Sequence, residues 1–341
     1  MTALIDIRDV GRRFGGAPTL TEKVAAAFGR PARPRVVHAV DGVSLSIAKG
    51  EVLGLVGESG CGKSTLGRIV AGILPPSSGS ALFDGKPLLG ADGTGTKATT
   101  RVQMVFQDPF GSLDPRMRVG DIIAEGPVAN GLVAASDARA DVARWLTTVG
   151  LDPGVAERYP HQFSGGQRQR IAIARALAMR PDMLVCDEPV ASLDVSIQAQ
   201  IINLFLELRE RLGLTMLFIS HDLGLVRHVS DRIAIMYLGR IVETGRTAEI
   251  FARPAHPYTR ALLDSMPKLR LEDDAPVSFR PIAGELPSPL DPPKGCHFHQ
   301  RCPHAVDRCR AERPALRPSR GRDVACLRAD EIDLETETTE P

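Results

Sequence analysis

The string Gly57-Glu58-Ser59-Gly60-Cys61-Gly62-Lys63-Ser64 constrains this chain more than any other. It follows an unbroken apolar run, Val52-Leu53-Gly54-Leu55-Val56, that suits a buried strand. It precedes residues 64–73, whose pattern suits a helix. Glycines at this spacing let backbone N–H groups converge on phosphate oxygens, and the helix N-terminus adds positive potential there. In that setting Lys63 reaches the β- and γ-phosphates of a nucleotide and Ser64 ligates Mg²⁺, with Gly57, Ser59, Gly60, Cys61, Gly62 and Thr65 completing the cradle. Cys61 fills a permissive loop position rather than a redox role. Alone, the string specifies an NTPase or a kinase.

A second acidic site narrows the choice. Met183-Leu184-Val185-Cys186-Asp187-Glu188 reads as an apolar strand ending in two carboxylates. Acids at the carboxyl end of a sheet strand face the crevice where α/β folds bind nucleotide. Asp187 is expected to hold Mg²⁺ and Glu188 to act as general base on the attacking water. Further strands are expected at 215–219 and 233–236, and helices at 142–149, 167–179 and 197–212. Such alternation implies a largely parallel α/β sheet. A net charge of +1 gives no electrostatic reason to expect nucleic acid as a ligand. No apolar run approaches the ~18–20 residues of a membrane-spanning helix. Asp6 and Asp9 within the first apolar stretch do not read as a signal peptide.

Four shorter features carry a family resemblance. Ser164-Gly165-Gly166-Gln167, after Phe163 and before Arg168-Gln169-Arg170, resembles the signature turn of ABC ATPases. Gln107, in Val105-Phe106-Gln107-Asp108-Pro109, resembles the Q-loop glutamine. Ser192-Leu193-Asp194 resembles the D-loop, and His221, in Phe218-Ile219-Ser220-His221-Asp222, resembles the switch histidine. The resemblance implies the fold: a P-loop ABC ATPase core, with a RecA-like parallel sheet and an antiparallel β portion, a helical subdomain and a small C-terminal extension. It also implies roles. Gln107 contacts Mg²⁺ and the attacking water, His221 contacts the γ-phosphate, and Ser164, Gly165, Gly166 and Gln167 bind ATP held by a partner subunit, with Asp194 crossing the interface. Phe14 is the candidate for stacking on adenine and could equally be a core residue. The core is expected over 1–108 and 181–250, and the helical part over 109–180.

His256-Pro257-Tyr258-Thr259, Gly284-Glu285-Leu286-Pro287-Ser288-Pro289 and Gly295-Cys296-His297-Phe298 resemble the C-terminal extension of dipeptide and oligopeptide importer ATPases, which would here span 251–341. That resemblance implies an ATPase coupled to transport, peripheral at the cytoplasmic face of the membrane. Its partners would be a second, non-identical ATPase, two permeases and an extracytoplasmic binding protein. Nickel, glutathione or opine uptake by the same motor is the alternative. A soluble, non-transport ABC protein would normally carry two cassettes or a long insertion, and this chain has neither.

Within the extension, residues 276–293 hold Pro276, Pro281, Pro287, Pro289, Pro292 and Pro293, the mark of an extended connector. Residues 294–328 carry nine basic and three acidic side chains, and 329–341 six acids and no base, which reads as a solvated face followed by a disordered tail. Cys296, Cys302, Cys309 and Cys326 gather four of the six cysteines after that connector. Unrelated thiols are one reading. A reducing compartment disfavours disulfides, while four thiolates suit zinc or an iron–sulfur cluster. The paired C-x₂₋₄-C knuckles of zinc sites are absent, although His297, His299 and His304 could substitute as ligands. Some importers that this chain resembles hold a [4Fe–4S] cluster here, so that cluster is the expectation and zinc the alternative.

Overall fold

A computed structural model of the chain describes residues 3–15, 36–90, 97–266 and 282–334. Residues 19–34, whose sequence reads as a loop inserted after the first strand, the prolines Pro276 and Pro281, and the tail beyond 334 lie outside the described residues.

Two sheets frame the molecule. β1 (Ala3–Phe14), β2 (Val37–Ala48), β4 (Ser78–Phe83) and β5 (Lys86–Pro87) form an antiparallel sheet in the order β2-β1-β4-β5. The larger sheet contains β3 (Val52–Val56), β6 (Val102–Val105), β7 (Met183–Asp187), β8 (Thr215–Ser220), β9 (Arg232–Tyr237), β10 (Arg240–Arg246), β11 (Arg317–Ser319) and β12 (Arg322–Val324), in the order β11-β12-β10-β9-β3-β8-β7-β6. Strands β9, β3, β8, β7 and β6 run parallel, while β10, β12 and β11 add an antiparallel edge.

The continuous apolar runs follow from burial on both faces. Side chains alternate along a strand, so Leu53, Leu55, Met183, Val185, Leu217 and Ile219 enter one core, shared with Ile5, Ile7, Val43 and Ile47 of the antiparallel sheet. Their neighbours Val52, Val56, Leu184, Cys186, Met216 and Phe218 enter the other, under the helices. That second core takes Ile122 and Ile123 from helix Val119–Ala129, Val142, Trp145 and Leu146 from helix Ala138–Thr148, and Ile171, Ile173 and Leu177 from helix Gly165–Ala178. Helix Val195–Leu212 buries Ile201, Phe205 and Leu208 there and ends at Gly213 in the left-handed conformation, φ 63°.

The C-terminal segment departs from the solvated-face expectation. Strand β12 pairs with β10, Glu243 opposite Val324, so residues from the far end of the chain extend the main sheet. Phe298 is fully buried between Tyr237 and Tyr258, with ring centroids 5.3 Å from each. Ile282 and Leu286, beside the proline run, lie half-buried against the larger core.

Candidate ATP site

The phosphate loop runs from β3 into helix Lys63–Val70, with Gly62 as its N-cap at φ 108°. Two glycines are dictated by close approach. A Cβ on Gly57 would lie 2.1 Å from the Met236 carbonyl oxygen, and one on Gly62 2.0 Å from that of Ala39, both backbone atoms that cannot give way. The loop is thus wedged between β2 and the end of β9. The turn after β9 holds it from a third side, where Gly239 donates its N–H to the Cys61 carbonyl at 2.8 Å. Cys61 is buried, and burial raises its thiol pKa, which suits a filler rather than a nucleophile.

Lys63 is buried and donates to the carbonyls of Gly57 at 2.8 Å and Glu58 at 3.0 Å. The Ser64 hydroxyl donates to the Asp187 carboxylate at 2.9 Å, so two hard oxygen donors meet at the helix start, a donor set that suits Mg²⁺. Burial raises the Asp187 pKa, with the neighbouring Glu188 charge adding to it and the Ser64 hydrogen bond opposing it.

One residue on, Glu188 leaves the strand in the left-handed region at φ 46°, its N–H donating to the Ile219 carbonyl at 3.0 Å. Its carboxylate collects both remaining candidates on one oxygen. Gln107 Nε2 donates to Oε2 at 3.0 Å, and His221 Nδ1 lies 3.3 Å from the same atom. The Glu188 side chain is mostly buried, whereas Gln107 and His221 face solvent. Lys63, Ser64, Asp187, Glu188, Gln107 and His221 therefore form one connected site.

The signature turn belongs to a different surface. Ser164 caps helix Gly165–Ala178 in a reciprocal box, accepting from the Gln167 N–H while the Gln167 side chain accepts from the Ser164 N–H at 3.1 Å. Gly165 and Gly166 abut Leu193 and Ile197, so this turn and the segment through Asp194 form one exposed corner with no hydrogen bond to the phosphate loop among the described residues. Phe14 lies at the end of β1 opposite Val37, two residues from the Ala39 that touches the loop. The residue is 39% exposed and its ring sits under the Arg12 guanidinium, so the core reading of Phe14 does not hold.

Several residues that the sequence reading gave no role also build the site. Arg168 donates to the carbonyls of Pro160 and His161 and lies 3.6 Å from the ring centre of Phe110, fastening the turn after Gln107 to the signature helix. Gln198 donates to the carbonyls of Val190 and Leu193 and braces the loop after Glu188. Tyr258 and Arg301 both reach Glu58. Arg168 carried a sequence signal as a neighbour of the signature turn and Tyr258 as part of the His-Pro-Tyr-Thr string, whereas Gln198 and Arg301 carried none.

In the C-terminal segment Cys296, Cys302, Cys309 and Cys326 line a single cavity, together with His299 and His304. Hydrogen bonds draw their segments together: the Cys296 N–H donates to the Cys309 carbonyl at 2.9 Å, and the Arg328 guanidinium donates to the His304 carbonyl at 3.0 Å. Burial pushes the Cys296 and Cys302 thiols up to about 11. As the side chains stand among the described residues, no three His, Cys, Asp or Glu groups close into a metal-binding set.

A parallel sheet with an antiparallel edge, a phosphate loop, paired strand-end acids and a signature turn define an ABC-type ATP-binding cassette. The ABC transporter family pattern matches residues 40–191, and that of the oligopeptide/dipeptide transporter C-terminal region matches 242–309. A Brucella abortus protein named as a peptide import ATP-binding protein is 55% identical, over 85% of this chain and 86% of its own. The oligopeptide transport ATP-binding protein OppF of Escherichia coli is 46% identical, over 88% and 90%. Among solved structures, cbiO1 of Clostridium perfringens, part of an ABC transporter complex, has a TM-score of 0.60 at 30% identity, covering 74% of this chain and 92% of that one. A dimeric ATP-binding cassette in a post-hydrolysis state with ADP and Pi gives 0.58 at 26%, covering 71% and 98%. The chain belongs to the family of peptide import ATP-binding proteins of ABC transporters. It is an ATPase coupled to transport.

Proposed function

We propose that this chain powers uptake of di- and oligopeptides by hydrolysing MgATP at the Lys63–Glu188 site. Lys63 exchanges the carbonyls of Gly57 and Glu58 for the β- and γ-phosphates. Ser64, Asp187 and Gln107 would hold Mg²⁺, which neutralises phosphate charge when bound. Water attacks the γ-phosphorus, its proton passes to Glu188, and ADP departs with the β–γ bridging oxygen. Gln107 orients that water, His221 senses the γ-phosphate, and Phe14 stacks on adenine. The observation that carries this reading is the shared Glu188 oxygen: base, water-orienting amide and γ-phosphate sensor already meet at one atom.

The corner formed by Ser164, Gly165, Gly166, Gln167 and Asp194 completes the ATP site of a second, non-identical ATPase, and that partner's signature turn completes this one. Closure of the pair moves the helices within 109–180 against two permeases, which receive cargo from an extracytoplasmic binding protein. No helix among the described residues is long and apolar enough to cross a membrane, which accords with a subunit held peripherally at the cytoplasmic face by those permeases. Uptake of a labelled tripeptide, in cells lacking the gene, tests the cargo. The wild-type chain restores uptake and Lys63→Ala does not; restoration of nickel uptake alone would move the assignment to the alternative.

Cys296, Cys302, Cys309 and Cys326 would hold a [4Fe–4S] cluster, with zinc as the alternative. Convergence of four thiols on one cavity supports this. A bound cluster would staple a segment whose short strands and single helical turn supply little core of their own. Anaerobic purification followed by metal and sulfide analysis decides: four irons per chain are expected, stoichiometric zinc favours the alternative, and metal-free protein with four alkylatable thiols defeats both.

A further inference from the structure

Glu58, the second residue of the phosphate loop, is held by every polar group it has. Its N–H donates to the Tyr258 hydroxyl at 3.0 Å, and its carbonyl accepts from Lys63 at 3.0 Å. Its carboxylate takes a two-pronged ion pair from Arg301, at 2.7 and 3.0 Å. Two of these three anchors come from the C-terminal segment. The Arg301 side chain is only 4% exposed, and two further donors reach the Ala283 carbonyl at 3.1 Å and the Tyr237 hydroxyl at 3.5 Å. A guanidinium fixed on three sides is a rigid clamp, since its planar fork must lie in one plane with the carboxylate.

We propose that Arg301 is a positioning residue for ATP binding, acting through Glu58, so that the C-terminal segment is part of the nucleotide site. This rests on the assignment of ATP to the loop at 57–65. Two physical effects operate. Glu58 is a negative charge within a loop that must receive a polyanion, and Arg301 neutralises it. Lys63 must also release the Glu58 carbonyl to reach the phosphates. A loop with two glycines in left-handed conformations, Gly60 and Gly62, has little intrinsic stiffness to hold its shape through that exchange. Tyr258 and Arg301 keep Glu58 in place while Lys63 moves, and a preformed cradle avoids an ordering cost on binding.

The test is a double-mutant cycle on the full-length protein, read as the equilibrium Kd for MgATP alongside thermal melting. Arg301→Met is expected to raise Kd on the order of tenfold, and Arg301→Lys, which keeps charge but loses the fork, by less. In a Glu58→Gln background, Arg301→Met should add under about twofold, because the two act as one unit. A purely structural arginine would lower the melting temperature, leave Kd unchanged, and act equally in both backgrounds; either an unchanged Kd or full additivity overturns the proposal. If Arg301→Met does not fold, Arg301→Lys in the two backgrounds decides by the same criterion. Lys63→Ala separates the underlying reading: if it leaves Kd unchanged, ATP does not use this loop and the inference falls with it.

Discussion

Glu188 pays for its place with backbone strain. A non-glycine residue in the left-handed region costs about 1 kcal/mol or more, and here φ is 46° at the residue that leaves β7. That turn carries the carboxylate out of line with Asp187 and onto Gln107 and His221. Strain of this kind at a site with a nucleotide cradle is where function, rather than stability, sets the conformation. Steric demands are equally sharp on the opposite side of the cradle. Gly57→Ala forces a methyl against the Met236 carbonyl, and the loop must shift by close to an ångström or more to relieve it. We expect ATP affinity to fall more than tenfold, with a stability loss of about 1–3 kcal/mol, both measurable by equilibrium binding and thermal melting. Native affinity in Gly57→Ala would mean that the loop is not wedged as described.

At the scale of elements, the phosphate loop, the strand-end acids and the signature turn were legible in sequence because each is a local string whose chemistry depends on near neighbours. The strands were legible too: Val52–Val56 is apolar throughout because its two faces enter two cores. The C-terminal attachment was not. Arg301 and Arg322 sat among nine basic residues that read as a solvated face, yet their partners, Glu58 and Glu243, lie 243 and 79 positions away. No local pattern marks such a pair. Glu243 anchors the junction of β10 with helix Pro257–Asp264: fully buried, it accepts from the N–H groups of Ala255 and His256, each at 2.9 Å. His256 in turn caps that helix, its Nδ1 accepting from the Tyr258 N–H at 3.0 Å. Burial holds the His256 imidazole down at about 3. The folded protein thus keeps it neutral while the unfolded chain protonates it below about pH 6.5, so this residue's share of stability is lost as pH falls from there toward 3. Urea unfolding at pH 7 and pH 5 should differ by about 2 kcal/mol more in the wild type than in His256→Asn, which keeps the cap acceptor without the titration. An identical pH response in both would contradict it.

The whole molecule holds one complete set of nucleotide residues and, on a separate corner, a signature turn with no hydrogen bond to them among the described residues. If, as proposed, a second ATPase supplies the turn that completes this site, the isolated protein is expected to turn over ATP slowly, and steady-state ATPase of the purified chain alone checks this. On that proposal, transport follows from closure of two cassettes around ATP and reopening after hydrolysis, with each state stabilised by a different nucleotide. The measurement that bears most directly on this account is steady-state ATPase and ATP binding of the assembled transporter carrying Glu188→Gln. The amide keeps the size of the side chain and its hydrogen bond with Gln107 but cannot take the proton from water. ATP should still bind, while turnover at this site falls by about 10²-fold or more. Near-normal turnover from this site with Glu188→Gln would show that the base lies elsewhere.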